Sequence, residues 1–141
     1  SMSHELMPPA FQYATIDEML SDYVHHLPLP SGMQAKYSST EEVNWQVIPQ
    51  EIGFEIYRIV QEAVTNTLKY AHASCLHVSL SLKEKQLSVQ VTDNGKGFEV
   101  NKKTNGIGLR TIQQRADAIG AKVEIDSKIG DGTHLIITVL V

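Results

Sequence analysis

From Pro49 onward, Ile52, Ile56, Ile59, Val60, Ala63, Val64, Leu68 and Ala71 stand three or four residues apart. That spacing stacks them on one face of a helix of about six turns. Pro49 suits the first helical position, because its missing N–H is one that a helix start leaves unpaired. A second helix begins after Thr15, where Thr15-Ile-Asp-Glu18 is a capping box and Ile16, Met19, Leu20 and Val24 share a face. It should end before Pro28. Strict alternation marks the strands. Leu76, Val78, Leu80 and Leu82 alternate with polar residues, then Leu87, Val89 and Val91 do so after a Lys83–Gln86 turn. Met33–Ser38 and Val43–Val47 read as short strands. A third helix is expected from about Gly108 to Ile119, closed by Gly120 in the left-handed region. A last hairpin should pair Lys122–Lys128 with Thr133–Val141 through Gly130-Asp131-Gly132. Hairpins beside several helices predict a two-layer α+β sandwich, not an alternating parallel fold.

Three short polar motifs interrupt this pattern. On the long helix, Glu62, Asn66 and Lys69 lie three and four apart, beside the apolar face and in line with Glu55 and Arg58. Asparagine is a poor helix former, so Asn66 inside a strong helix needs a reason. Its amide oxygen is a hard neutral ligand suited to Mg²⁺. Glu62 could accept a proton or orient water, and Lys69 could offset phosphate charge. The alternative is a solvated helix face with ordinary ion pairs. At a strand end stands Asp93-Asn94-Gly95-Lys96-Gly97-Phe98. It is either a common turn or a pocket in which Asp93 accepts from the exocyclic amine of adenine. In that pocket Gly95 and Gly97 let the backbone approach the ring. Third, Gly106-Ile-Gly108-Leu109 opens a helix, and free amides there attract phosphate. A plain loop-to-helix junction would read the same. The polar stretch Glu99–Asn105 between the second and third motifs is expected to be a loop able to close over a nucleotide.

Other chemistries fit poorly. Thr111 occupies the place of the third glycine of a dinucleotide-binding fingerprint, and Gly95-Lys96 lacks the upstream glycine of a P-loop. The six histidines lack zinc spacing. Twelve basic against sixteen acidic residues give a net charge of −4, which argues against a nucleic-acid partner. Cys75 is the single cysteine and opens an apolar strand, so a buried, inert thiol in a reducing cytoplasm is expected. Trp45 and Tyr57 read as packing residues. No apolar run approaches membrane-spanning length. At 141 residues the chain can hold one proper core. Ser1-Met2 reads as a cloning remnant, so the chain is expected to be a piece of a longer protein.

In order and spacing the three motifs resemble the N, G1 and G2 boxes of the GHKL superfamily, the Bergerat fold. Within it they resemble the catalytic domain of two-component sensor histidine kinases, of the subfamily paired with helix-turn-helix response regulators. Phe54-Glu-Ile-Tyr57-Arg58-Ile-Val-Gln-Glu62-Ala-Val-Thr-Asn66, followed by Lys69-Tyr-Ala, is similar to that subfamily's N box. Gly106 to Gly120 is similar to its G2 helix, and Gly130-Asp-Gly132-Thr133 to its terminal turn. The resemblance runs from about Pro28 to the C-terminus. It implies a mixed sheet packed on about three helices, with ATP and Mg²⁺ as ligands. Asn66 would bind the metal, Lys69 would contact phosphate, and Asp93 would bond the adenine amine with support from Thr133. Gly95, Gly97, Gly106 and Gly108, with Leu109, would form the walls and lid.

The implied reaction transfers the ATP γ-phosphoryl group to a histidine on a dimerisation domain, within two-component signalling. His4 to Phe11 resembles the end of the hairpin that precedes this domain, so residues 1–13 are assigned to that hairpin and residues 14–141 to the catalytic domain. His4 stands too late to be the phosphoacceptor, so this chain should bind ATP without phosphorylating itself. Glu62 is the general base in related ATPases; in the kinases, an acidic residue beside the phosphoacceptor competes for that role. Tyr70 stands where histidine is common. The expected partners are the phosphoacceptor domain of the same protein and a response regulator. The full protein is expected to be a homodimer, cytoplasmic or anchored in the membrane, and the isolated chain a monomer. Two other readings share the fold: an anti-sigma-factor serine kinase and a degenerate, non-catalytic interaction domain.

Overall fold

The structure is a computed structural model that describes Met7, residues 9–97 and residues 106–141, without the side chains of residues 10 and 106–108. Helix α1 spans Ile16–His25, and its capping box is formed: Glu18 N–H donates to Thr15 Oγ1, and Thr15 N–H to Glu18 Oε1. Strand β1 follows at Gln34–Ser39, one residue later than the sequence pattern suggests. Val43–Val47 is not a strand. Asn44 caps a single 3₁₀ turn, Trp45–Val47, by accepting from Gln46 N–H. That turn buries Trp45 and Ile48, which an extended chain would set on opposite faces.

Helix α2 runs Gln50–Asn66, with Pro49 one position earlier than expected, as its cap. Its buried side, including Phe54, Ile56, Ile59, Val60 and Val64, faces the sheet and its neighbouring helices. The helical path then widens into a π turn, Thr67–Ala71, ended by His72 at φ 52°. Strands β2 (Cys75–Lys83) and β3 (Gln86–Asp93) form the expected hairpin. Helix α3 covers Gly106–Ala118, and Gly120 follows at φ +68°. Strands β4 (Lys122–Ser127) and β5 (Thr133–Leu140) complete the sheet.

The strand order is β1-β2-β3-β5-β4, with β1 parallel to β2 and the other pairs antiparallel. Alternation puts Leu76, Val78 and Leu80 of β2, with Leu87, Val89 and Val91 of β3, on the buried face. Leu135, Ile137 and Val139 of β5 are buried with them, and burying each such side chain stabilises by about 1.5–3 kcal/mol. The mixed sheet with helices on one face is the α+β sandwich anticipated above. Phe11 belongs to the core: it meets the rings of Phe54 and Tyr57 edge-on at centroid distances of 5.6 and 5.3 Å. Trp45 and Tyr57 are packing residues, as expected, whereas Cys75 is only partly buried. The stretch Glu99–Asn105, read as a closing loop, lies outside the described residues.

Candidate functional site

Register sets the floor of the site. Asp93 ends β3 and stands opposite Thr133, the first residue of β5, which in turn stands opposite Ser127 at the end of β4. Three strand ends therefore present Asp93, Thr133 and Ser127 in one row. Above them, α2 and its π turn supply Ala63, Asn66, Thr67 and Tyr70, and α3 supplies Leu109 and Ile112. A cleft of about 180 Å³ lies between, its walls mostly apolar through Val91, Ile125 and Leu135.

Asp93 is 7% exposed, and a carboxylate buried so deeply needs hydrogen bonds. Both oxygens have one. Gly95 N–H donates to Oδ1 at 2.8 Å, and Thr67 Oγ1 donates to Oδ2 at 3.0 Å. Each oxygen keeps a lone pair for another donor. Beside it, Ser127 Oγ donates to the Gly132 carbonyl at 3.0 Å and lies 2.8 Å from Thr133 Oγ1. Asn94 fastens the same corner from outside, its Oδ1 accepting from the N–H groups of Ser74 and Cys75.

The glycines of this corner are required by close approach. A Cβ on Gly95 would overlap the Ala71 carbonyl oxygen, which also accepts from Lys96 N–H at 2.7 Å. Gly97 has φ +66°, and a Cβ there would overlap the Lys128 carbonyl oxygen. The turn after β3 thus lies directly against both the π turn and the β4–β5 turn.

The cleft brings together Asn66, Asp93, Gly97, Leu109 and Thr133 of the residues anticipated from sequence. Asn66 is half-buried at the last position of α2, where the α pattern gives way to the π turn. Such bulges often coincide with functional sites. Gly106 and Gly108 fall in the first turn of α3, whose Leu109 reaches the cleft. Glu62 and Lys69 do not line it: Glu62 is half-buried on α2, and Lys69 is exposed on the π turn. Glu55, on the same stripe, pairs with Arg115 of α3 at 3.0 Å, which ties the two helices beside the cleft.

Thr67, Lys96, Tyr70 and Ser127 were not assigned to a site from sequence. A threonine directly after a helical asparagine carries no signal of its own. Its partner is 26 residues away, and only the fold joins them.

Residues 53–141 match the family model described as "Histidine kinase-, DNA gyrase B-, and HSP90-like ATPase". The chain is 33% identical over 135 residues to the oxygen sensor histidine kinase NreB of Staphylococcus carnosus (strain TM300). That match covers 94% of the chain but 38% of the relative. Among solved structures, the blue-light activated histidine kinase of Erythrobacter litoralis EL346 superposes with a TM-score of 0.76 at 22% identity, over 93% of this chain and 43% of that one. The mycobacterial sensor histidine kinase MprB superposes with a TM-score of 0.60 at 16% identity, over 89% of this chain and 91% of that one. These likenesses to solved structures bear on the fold.

Proposed function

The chain belongs to the histidine kinase-, DNA gyrase B- and HSP90-like ATPases, and from this we propose that it is the ATP-binding catalytic domain of a sensor histidine kinase. The single observation that carries the proposal is Asp93: a buried carboxylate, held at both oxygens, at the end of an apolar-walled cleft. Such a group is built to receive an N–H donor from a flat apolar ring, and the adenine amine is that donor. Gly95 and Gly97 keep the backbone close beside it.

Asn66 lines the same cleft, and a neutral amide oxygen supplied there would fit a hard divalent cation held jointly with phosphate. Bound Mg²⁺ would supply charge neutralisation for phosphoryl transfer. The glycine-bearing start of α3 suits the phosphate end. Lys69, outside the cleft wall, could reach phosphate only by extending its side chain over the rim. Glu62 would act from one turn behind Asn66, by orienting water or a proton-bearing group. The domain's contribution is positioning and charge, with the nucleophile brought from elsewhere.

In this reading, residues 14–141 form the catalytic domain and residues 1–13 the end of a dimerisation hairpin, packed on through Phe11. The donor phosphoryl passes to a histidine on that dimerisation domain and then to a response regulator. The full protein would be a homodimer with this domain in the cytoplasm. The test is to incubate the chain with labelled Mg-ATP and a separately produced dimerisation domain. Acid-labile phosphohistidine on the added domain is expected. Phosphoserine on an added protein substrate would favour the serine-kinase reading. No nucleotide binding up to millimolar concentration would mark a non-catalytic interaction domain.

A further inference from the structure

We propose that Asn94 is a self-modification site: opening of the turn after β3 lets it deamidate to aspartate or isoaspartate, and the closed turn holds that reaction in check. The inference goes beyond the nucleotide-site reading and does not rest on it.

The reactive pair is Asn94-Gly95. Deamidation begins when the main-chain nitrogen of the following residue attacks the asparagine side-chain carbonyl carbon. A C–N bond forms, ammonia leaves, and a five-membered succinimide results. Water then opens that ring at either carbonyl, giving aspartate or isoaspartate. One water is consumed and one ammonia released, with no further reactant. Glycine after asparagine favours the attack, since no Cβ shields its nitrogen or restricts its backbone. Asn94 is exposed, so water reaches it.

In the closed turn both reacting groups are engaged elsewhere. The nucleophile is Gly95 N, whose hydrogen is donated to Asp93 Oδ1 at 2.8 Å. Attack requires that this N–H lose its proton, and the buried carboxylate beside it opposes a second negative charge. The electrophile is the Asn94 amide. Its Oδ1 accepts from the N–H groups of Ser74 and Cys75 at 2.9 Å each, and its Nδ2 donates to Ser74 Oγ at 2.9 Å. The amide is thus tied to the start of β2, while the Gly95 N–H is tied to Asp93. Ring closure waits for the turn to open, so its rate is that of the open chain scaled by the open fraction.

The two products differ in consequence. Aspartate keeps the main chain and offers carboxylate oxygens to the Ser74 and Cys75 N–H groups. Isoaspartate adds a methylene to the main chain before Gly95. The corner has no slack for it: Lys96 N–H reaches the Ala71 carbonyl oxygen at 2.7 Å, and even a Cβ on Gly95 would overlap that oxygen. Chains that carry isoaspartate therefore lose the closed turn.

The experiment ages the chain in mildly alkaline buffer, folded and in urea. Position 94 is followed by peptide mapping with isoaspartate detection, which separates it from Asn105-Gly106 and Asp131-Gly132. It should react at least about tenfold more slowly in the folded chain than in urea. Ser74→Ala removes one bond to the amide and should react about threefold faster than the folded parent. Asp93→Ala frees the Gly95 N–H and should be about tenfold faster or more, with circular dichroism to verify folding; Ser74→Ala decides the matter if Asp93→Ala does not fold. Asn94→Asp should melt within a few degrees of the parent, whereas the isoaspartate fraction, isolated after ageing in urea and refolding, should melt lower or fail to refold. Equal rates in the folded chain and in urea, a position 94 inert in urea, a Ser74→Ala rate no higher than the parent's, or an isoaspartate fraction that melts like the parent would overturn the inference. Each readout is a modification rate or a melting temperature, so such a failure leaves the nucleotide reading standing.

Discussion

Gly132 and Gly120 both hold a positive φ, +78° and +68°, yet only Gly132 is hemmed in. A Cβ on Gly132 would overlap the Asp93 carbonyl oxygen, whereas one on Gly120 would meet nothing within 4 Å. The pair therefore separates backbone strain from steric overlap. Gly120→Ala should cost about 1–2 kcal/mol, the ordinary penalty of the left-handed region. Gly132→Ala should cost more and also displace Asp93, so nucleotide affinity should drop with stability. Chemical denaturation with parallel nucleotide titration checks both; equal costs at the two sites would show that the close approach is not felt. Asp93→Asn tests the site more directly. It replaces an acceptor-only group by one that also donates, and ATP binding should weaken about tenfold or more by calorimetry. Asn66→Ala should leave nucleotide affinity without Mg²⁺ nearly unchanged and reduce the gain that Mg²⁺ brings. An Asp93→Asn variant that binds ATP as tightly as the parent would remove the adenine assignment.

Helix α1 is joined to β1 by Tyr37, whose hydroxyl donates to Asp17 Oδ1 at 2.7 Å. Burial, then the bond to Asp17 and its charge, push the Tyr37 pKa well above the ordinary tyrosine value of 10.0. Burial also raises Tyr23 and Tyr57 at the α1–α2 contact. The unfolded chain ionises these phenols near their ordinary value, and the folded chain holds their protons to higher pH. Their contribution to stability is therefore complete below pH 10 and declines as pH rises above it. Tyr37→Phe should lower stability by about 1 kcal/mol at neutral pH and flatten the alkaline decline, read from denaturation midpoints between pH 8 and 11. An unchanged alkaline slope would mean that the phenol is not held neutral. At this scale, most elements were legible because each had its own local signal. Thr15 and Glu18 announced α1, two-residue alternation announced β2 and β3, and the Gly130-Asp131-Gly132 turn announced the β4–β5 hairpin. Two features were not legible. Val43–Val47 has the alternation of a strand, but the Asn44 cap and the burial of Trp45 and Ile48 bend it into a 3₁₀ turn. The π turn at Thr67–Ala71 was hidden because one wider turn hardly disturbs a spacing of three and four. That turn brings Thr67 to Asp93, so the same gap in the sequence signal concealed the Thr67 contact.

Among the described residues one core serves every element, and Phe11 is built into it at 4% exposure, against Phe54 and Tyr57 of α2. Helix α2 thus carries the entering chain at one end and Asn66 at the other. Phe11→Ala should cost about 3–5 kcal/mol, a large share of the stability of a domain this size. The cleft draws on every layer: α2 and its π turn, the ends of β3 and β5, β4 and α3. A ligand that fits it must bridge elements distant in sequence, which the unfolded chain cannot present together. Nucleotide should therefore stabilise the entire fold by mass action, by about 2.7 kcal/mol at a hundredfold excess over Kd. For a chain of 141 residues this corresponds to a rise in Tm of roughly 5–10 °C. The rise should appear with Mg-ATP in a thermal melt and shrink sharply in Asp93→Asn, whose ligand-free Tm should stay within a few degrees of the parent. If Mg-ATP raised Tm equally in both proteins, the stabilising ligand would be bound somewhere other than against Asp93, and the cleft would lose its claim to the nucleotide.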